Sequence, residues 1–339
     1  MVDKPVIRIF GKTAQGETVC AFYEGFQPYF YVEGDVRVLQ KEPEVIEIKE
    51  VERNIIGDQK PHKVYKIVTK NPAKTPELRQ KLISSGAKVY EADILFKYRF
   101  MSDFGLAGLG WVKISGNNTS TSTVLASKKI KADKIEAVQK DVDAPLKYLA
   151  LDIECLSSDG GLPDPKKDPI ILISLAFSQP YKGFENLVLS TRSAAGVKAF
   201  SDEKEMLEGL LEIIQEYDPD ILTGYNCNNF DFPYIVERMR QLGIKPIFGR
   251  CCQKSVTTTK TGTKTRVNIV GRVVVDSYEL IKKDFALQRY SLEFVAPKLI
   301  GKEKVAVKPS EIEKLWKGGE KSFAKLVSYA KQDSVLALE

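Results

Sequence analysis

Hydrophobic and polar residues alternate with a period of two along four short stretches in the first part of the chain. This alternation predicts half-buried β-strands. The predicted strands are Val6–Phe10, Thr18–Tyr23, Tyr29–Val32 and Val64–Thr69. A helix is predicted over Pro76–Ser85, with Thr75 as its N-cap and Gly86 just past its end. The pattern favours a small α+β domain.

Longer apolar runs alternate with amphipathic stretches in the second part, as is typical of a sheet buried between helices. In chain order, the predicted elements are the strands Tyr148–Glu154 and Ile170–Phe177, the helix Asp202–Tyr217 with a capping box of Asp202 and Glu205, the strand Asp220–Tyr225, the helix Pro233–Leu242, the strand Val267–Val275 and a helix from about Ser322 to the C-terminus. The fold class is therefore mixed α/β. The polar run Ser115–Thr123 is the most loop-like stretch, and we place the domain boundary near residue 140, which gives domains 1–140 and 141–339.

Length and composition agree with two globular domains. The chain has 339 residues, of which 43% are hydrophobic and 28% are charged. It contains no apolar run close to the roughly 20 residues that span a bilayer, and no apolar core of a signal peptide follows Met1. Five cysteines without a C-x-x-C pair, together with a single histidine, exclude a zinc ribbon and argue against a disulfide framework. We expect a cytoplasmic protein without a membrane span.

The net charge of +6 is compatible with a polyanionic partner but decides nothing by itself. The excess is concentrated between Gln253 and Arg266, a stretch without an acidic residue. Its cations are Lys254, Lys260, Lys264 and Arg266. Threonines around Gly262 predict an exposed β-hairpin, which could equally be a solvated surface loop.

Two acidic residues lie on the first strand of the second part. Asp152 and Glu154 are separated by one residue, so their side chains project from the same face of the strand. Two carboxylates this close repel each other unless a cation lies between them. Such a pair alone is weak evidence, but the apolar flank Leu149–Leu151 favours a function for it.

Two further acids lie in separate motifs. Asp231 follows a strand and a polar loop at the start of a helix, where an ordinary N-cap is the alternative interpretation. Tyr329 and Asp333 are four residues apart on a helix and share a face, where a surface pair is the alternative. Taken together, the four acids can hold two divalent metals.

The order and spacing of these motifs resemble the proofreading 3′→5′ exonuclease domain of family B DNA polymerases. The matching motifs are Asp152-Ile-Glu154, Tyr225-Asn226-x-x-x-Phe230-Asp231-Phe-Pro-Tyr234 and Tyr329-x-x-x-Asp333. Gly271–Tyr278 and Tyr290–Glu293 are similar to intervening segments of the family. Pro5–Phe10 and Phe26–Tyr31 resemble the N-terminal domain of archaeal members, so the resemblance covers nearly the whole chain.

The resemblance implies a ribonuclease-H-like exonuclease domain after a smaller, template-binding N-terminal domain. It implies a metal-dependent 3′→5′ exodeoxyribonuclease that hydrolyses the terminal phosphodiester of single-stranded or frayed DNA 3′ ends. In the family's site, Asp152, Glu154, Asp231 and Asp333 would bind two Mg²⁺ or Mn²⁺ ions, one generating the attacking hydroxide and one stabilising the leaving oxygen. Tyr329 would orient the water. Asn226 and Phe230 would hold the frayed strand, and the cationic hairpin would help to separate primer from template.

Archaeal members also sense uracil in the template with their N-terminal domain. The positions that match their pocket are Pro28, Pro72, Thr75, Ile94, Phe96 and Arg99. The match is partial, since Thr75 stands where a small apolar residue is expected and Leu95 replaces a proline. The alternative is that the apolar residues pack the domain while Arg99 contacts a template phosphate.

The family's polymerisation motifs lie downstream of the third exonuclease motif, and none occurs in this sequence. We therefore expect the N-terminal and exonuclease portion of a DNA polymerase, as a fragment or a natural split subunit, without polymerase activity of its own. Its partners would be DNA and a polymerase portion on the same full-length protein or on a separate chain. One alternative is a module that binds single-stranded DNA or senses uracil and needs that missing portion. Another is a stand-alone RNA-trimming exonuclease.

Overall fold

A computed structural model describes residues 4–157, 161–305 and 307–339. Its contacts divide the chain into two compact units. Unit 1 contains the residues up to Thr121 together with Ala126–Ala144, and unit 2 contains Ser122–Leu125 together with Pro145–Glu339.

Unit 1 contains two sheets and two α-helices in the described part of the chain. Its elements are β1 (Ile7–Lys12), β2 (Thr18–Tyr23), β3 (Tyr29–Glu33), β4 (Val45–Arg53), β5 (His62–Thr69), α1 (Thr75–Ser84), β6 (Lys88–Tyr90), α2 (Phe96–Asp103), β7 (Val112–Asn118) and β8 (Lys128–Ala137). The strand orders are β1-β2-β8-β7 and β4-β5-β3-β6. Leu78 and Leu82 of α1 pack with Phe30 and Ile67 of the second sheet, while Phe100 of α2 belongs to a separate cluster with Phe26.

The start of α1 differs from the prediction. Thr75 is the first helical residue rather than the N-cap, and Lys74 holds the N-cap position without a side-chain hydrogen bond. The reason is a short 3-10 turn, Pro72–Lys74, which is capped by the Asn71 side chain and leads directly into the helix. Gly86 follows the helix with φ +85°, a conformation that glycine adopts without strain.

Unit 2 is built on one mixed sheet with the strand order β12-β11-β10-β9-β13-β16. Its elements are β9 (Tyr148–Cys155), β10 (Ile170–Tyr181), β11 (Phe184–Ser190), β12 (Val197–Ala199), α3 (Glu203–Tyr217), β13 (Ile221–Gly224), α4 (Asp231–Gln241), β14 (Thr257–Thr261), β15 (Lys264–Asn268), β16 (Val273–Asp276), α5 (Ser277–Asp284), α6 (Leu292–Leu299), α7 (Pro309–Lys317) and α8 (Glu320–Leu338). β9 pairs antiparallel with β10 and parallel with β13, so it lies inside the sheet. Helices α3 and α4 contribute to the main core of this unit.

The predicted single strand Val267–Val275 is wrong, because β15 ends at Asn268 and β16 begins at Val273. The turn between them contains Gly271, with φ +88°, and the buried Arg272. Arg272 Nη1 lies 2.7 Å from Asp218 Oδ1, so the chain turns here to bury an ion pair. At α3, Asp202 accepts a hydrogen bond from Glu205 N as predicted, but the Glu205 carboxylate accepts from Ser201 N instead of closing the box on Asp202.

No helix in the described ranges is long and apolar enough to cross a bilayer. No disulfide links the cysteines, all of which lie in those ranges.

Candidate active site

Strand β9 fixes the first two acids of the site. Ile153 is 5% exposed and packs in the main core, which turns Asp152 and Glu154 to the opposite face. Asp152 pairs with Ser174 of β10, and Glu154 pairs with Leu172. Because β9 is bonded on both edges, the two carboxylates stand on a rigid part of the sheet.

Helix α8 brings the third acid to this face. Phe323, Leu326 and Ala330 of α8 pack against Ile171 and Leu172 of β10. The same helix carries Asp333, which is 5% exposed. One carboxylate oxygen each from Asp152, Glu154 and Asp333 all lie within 4.8 Å of one another. Residues about 180 positions apart in sequence therefore form one acid cluster.

Asp231 is tied to the backbone between the first two acids. It is the first residue of α4, whose N-cap position is held by Phe230. Its Oδ1 accepts a hydrogen bond from Ile153 N at 3.1 Å, and the residue is 3% exposed. Burial raises the pKa of Asp152 most and the Asp231 charge adds to that rise, so the fourth acid acts on the same electrostatic site.

Burial determines the ionisation of these four carboxyl groups. It raises the pKa of Glu154 to about 8, with a further contribution from the Asp333 charge, and it raises the pKa of Asp231 to about 7. Burial and the neighbouring carboxylates hold the pKa of Asp152 well above its usual range. Burial also raises the pKa of Asp333, although Lys304 opposes that rise. Without a cation, the cluster keeps protons that ordinary carboxyl groups lose.

The donor set fits divalent cations. Carboxylate oxygens are the ligands that Mg²⁺ and Mn²⁺ prefer. Asp333 Oδ1 is buried and has no hydrogen-bond partner among the described residues. A buried carboxylate oxygen without a donor is costly, and a bound cation would satisfy it.

Lys304 is a site residue that the sequence reasoning missed. Its Nζ lies 2.8 Å from Asp333 Oδ2 and donates a hydrogen bond to the Tyr329 hydroxyl at 3.4 Å. It lies in the loop between α6 and α7, where no helical or strand spacing relates it to the acids. The sequence contains no signal that distinguishes it from the other lysines of that loop.

Asp152 and Asp333 open into a cavity of about 390 Å³. It is lined by Asp152, Tyr225, Asn226, Tyr278, Tyr290, Ser291, Leu292, Lys304 and Asp333. The Tyr278 ring packs edge-on against Tyr225 and Tyr290, with centroids 5.7 and 6.4 Å apart. The Tyr225 hydroxyl donates to the Tyr290 carbonyl. One wall of the cavity is therefore aromatic and internally bonded.

Asp276 shapes the loop that precedes Asp231. Its carboxylate accepts hydrogen bonds from Asn226 N and Asn228 N, both at 2.9 Å, and Asn226 adopts φ +62°. This places Asn226 in the cavity lining. Phe230 instead packs against Tyr234, with ring centroids 5.5 Å apart.

The cationic stretch forms the hairpin β14–β15, with Gly262 at φ +62° in its turn. Lys260, Lys264 and Arg266 lie on the hairpin and are exposed, whereas Lys254 is exposed but precedes it. Thr265 N donates to Asn229 Oδ1 at 3.2 Å, which ties the hairpin to the loop shaped by Asp276.

The uracil-pocket candidates all lie in unit 1. Phe96 stacks on Phe26 with centroids 5.3 Å apart, and Ile94 is 43% exposed. Arg99 is 8% exposed, and its guanidinium lies 2.6 Å from the Glu91 carboxylate. Pro28 is buried, while Pro72 and Thr75 are half-buried at the start of α1. With Arg99 paired inside the unit, uracil sensing stays a prediction.

The chain is similar to known DNA polymerases over most of its length. The model of the DNA polymerase family B exonuclease domain matches residues 87–295. A DNA polymerase of Archaeoglobus fulgidus is 33% identical over 342 residues, which cover 98% of this chain and 40% of that protein. The DNA polymerase delta catalytic subunit of Arabidopsis thaliana is 29% identical, over 98% of this chain and 36% of the relative.

A solved structure shows the same fold over almost the whole chain. The family B DNA polymerase from Pyrobaculum calidifontis matches with a TM-score of 0.84 and 26% identity, covering 99% of this chain and 43% of that one. The chain thus spans well under half the length of these relatives. The family model leaves α8 and the Lys304 loop outside its match, whereas these relatives match 98–99% of the chain.

Proposed function

The chain belongs to the family B DNA polymerases through their exonuclease domain, and we propose that unit 2 is a metal-dependent 3′→5′ exodeoxyribonuclease. It would hydrolyse the terminal phosphodiester of single-stranded or frayed DNA and so remove misincorporated nucleotides. One observation carries the proposal: one carboxylate oxygen each from the half-buried Asp152 and the buried Glu154 and Asp333 lie within 4.8 Å of one another, and Asp152 and Asp333 line a cavity together with three tyrosines.

Asp152, Glu154, Asp231 and Asp333 would hold two divalent cations, Mg²⁺ or Mn²⁺. Bound there, such ions supply the Lewis acidity that activates a water and offsets the charge of the leaving oxygen. The chain's own part is to fix the four carboxylates on β9, α4 and α8, so that no reorganisation is needed when substrate binds.

Tyr329 and Lys304 would act on the reacting groups from one side of the site. Burial raises the pKa of the Tyr329 hydroxyl, and the nearby carboxylates add to the effect. The hydroxyl therefore stays protonated and can donate a hydrogen bond that orients a water. Among the described residues that line the cavity, Lys304 has the one cationic side chain, and it would contact the phosphate.

The size of the cavity favours a single-stranded end. A volume of about 390 Å³ is on the scale of one nucleotide. A terminal nucleotide must then leave its duplex to reach the acids, and a mismatched end does so at the lowest cost. Tyr225, Tyr278 and Tyr290 offer ring faces and edges for the base or sugar, and Asn226 offers a polar contact. Phe230 would contact DNA beside Asp231, and the four cations in and before the hairpin would contact the DNA backbone: Lys254, Lys260, Lys264 and Arg266.

The test is digestion of a 5′-labelled single-stranded DNA with Mg²⁺ or Mn²⁺. We expect stepwise shortening from the 3′ end. The double substitution Asp152→Ala and Glu154→Ala should lower the rate of shortening by at least about 10³-fold, because the cation ligands are lost. A chelator should abolish the activity, and an RNA of the same sequence should be cut more slowly.

The competing hypothesis is that the chain binds DNA without cutting it. If the wild-type chain retains the oligonucleotide on a gel without shortening it, the chain is a DNA-binding module and not a nuclease by itself. We also propose that the unit works beside a polymerase portion, on the same protein or on another chain, and acts on DNA in the cytoplasm.

A further inference from the structure

The loop after α6 is held along α8 by the side chain of Gln332. Gln332 Oε1 accepts a hydrogen bond from Val305 N at 2.7 Å, and its Nε2 donates to the Glu303 carbonyl at 2.6 Å. The two bonded backbone groups flank Lys304. A single amide therefore fixes the chain on both sides of the lysine.

We call these two hydrogen bonds of the Gln332 side chain the Gln332 clamp. The clamp restricts the position of the Lys304 ammonium. A lysine side chain has four rotatable bonds, and holding its head group in one place costs conformational entropy. Anchoring the backbone on both sides removes part of that freedom in advance. Gln332 immediately precedes Asp333, so the clamp and the ion pair between Lys304 and Asp333 share one turn of α8. In that pair the side chains are 13% and 6% exposed.

We propose that Gln332 is a positioning residue that holds Lys304 on Asp333, where the ammonium is an internal counter-ion that a divalent cation must displace. The ammonium forms a salt bridge with Asp333 Oδ2, while the other oxygen of the same carboxylate has no hydrogen-bond partner among the described residues. The metal-free cluster is thus partly neutralised by the chain itself. The effect on DNA cleavage rests on the proposed function, whereas the competition with a cation does not.

Other contacts of the loop would survive the loss of the clamp. Lys302 pairs with Glu339 at an exposed position, and Val307 is buried. Removing the Gln332 amide should therefore release the centre of the loop and leave its ends in place. A Gln332 variant therefore tests the two hydrogen bonds beside Lys304 without detaching the whole loop from the unit.

The first measurement is Mn²⁺ binding to the metal-free full chain by calorimetry, without DNA. Lys304→Met and Gln332→Met should each tighten binding, by roughly three- to tenfold, because a positive charge leaves the ligand set. The double variant should bind no more tightly than Lys304→Met, since Gln332 acts through Lys304. Gln241→Met, at an exposed glutamine of α4 whose Nε2 donates to the Glu237 carboxylate, should bind like the wild type.

The second measurement is hydrogen exchange at the Val305 amide. Exchange should accelerate in Gln332→Met and in Gln332→Ala but not in Lys304→Met, since only the first two remove the acceptor. Methionine and alanine both favour helix, so α8 is retained in either variant.

Three results would overturn the proposal: wild-type Mn²⁺ affinity in Lys304→Met, wild-type affinity in Gln332→Met, or a double variant whose shift is the product of the single ones. DNA digestion is then run on the wild type, Lys304→Met, Gln332→Met and the double variant. If the wild type does not cut DNA, the exonuclease proposal fails. The Mn²⁺ affinities of the single and double variants still decide the role of Gln332.

Discussion

Among single residues, the four carboxyl groups show how a site can be stable in one protonation state and active in another. Their burial favours the neutral form, which is why protons remain on Glu154 and Asp231 near neutral pH. Cation binding requires the charged form. Folding without metal and binding of metal therefore place opposite demands on the same residues.

This opposition predicts how stability depends on pH when a chelator is present. The folded-state pKa values of about 8 for Glu154 and about 7 for Asp231 lie above their ordinary values of 4.5 and 3.8. Between those limits the folded protein binds more protons than the unfolded chain, so its free energy of unfolding falls as the pH rises. Urea unfolding should show a loss on the order of 2–4 kcal/mol from pH 5 to pH 8.

The matched variant is Asp152→Asn with Glu154→Gln, which keeps the shapes of the side chains and removes the titration of two of the four acids. Its free energy of unfolding should depend less on pH over the same range, and at pH 8 it should exceed that of the metal-free wild type. Equal pH slopes for the two proteins would mean that the acid cluster does not control stability. Saturating Mg²⁺ should raise the wild-type stability at pH 8 and leave the variant unchanged.

At the scale of elements, the hairpin β14–β15 is the clearest candidate for contact with the DNA backbone outside the acid cavity. Its cations are exposed, and Thr265 connects it to Asn229 beside the cavity. Replacing Lys260 and Lys264 with glutamine should weaken single-stranded DNA binding. It should also reduce the slope of log K against log salt by about 1.4, or 0.7 for each lost phosphate contact.

A control with the same charge change is Lys182→Gln with Lys198→Gln. Lys182 follows β10, and Lys198 lies in β12 at the sheet edge opposite β16. This pair should alter the salt slope by much less, as measured by fluorescence titration in a chelating buffer. Equal slopes in the two double variants would show that the salt dependence of DNA binding follows net charge alone. The hairpin would then not contact the DNA backbone.

Regular elements were predictable from sequence where one local rule applies. The i, i+2 spacing of Asp152 and Glu154 and the i, i+4 spacing of Tyr329 and Asp333 each put two side chains on one face, as the structure has them. The contribution of Lys304 to the site was not predictable, because its position depends on an irregular loop and on hydrogen bonds from the Gln332 side chain. The strand predicted over Val267–Val275 failed because the burial of Arg272 against Asp218, a long-range contact, outweighs the local strand preference.

At the scale of the whole molecule, the path of the chain differs from a simple succession of two domains. The chain passes from unit 1 to unit 2 at Ser122, returns at Ala126 and enters unit 2 again at Pro145. Within unit 2, Val124 forms a β-bridge with Cys251, and Leu125 N donates to the Arg250 carbonyl at 2.8 Å. Arg250 is buried and pairs with Asp218 and Asp220. Val124 and Leu125 thus contact the backbone at Arg250 and Cys251, in a unit to which their sequence neighbours do not belong.

This path predicts that a substitution at Val124 destabilises unit 2, although its neighbours in sequence belong to unit 1. Val124 is 1% exposed, so Val124→Asp would bury a carboxylate without a cation and should cost about 2–4 kcal/mol. Hydrogen exchange followed by mass spectrometry should speed up around residues 248–252 and in β16, and remain unchanged in β7 and β8. Leu125→Asp is the control, because this adjacent side chain is 42% exposed and can hydrate its charge. Faster exchange in β7 and β8, or an equal effect of both substitutions, would contradict the assignment of this segment to unit 2.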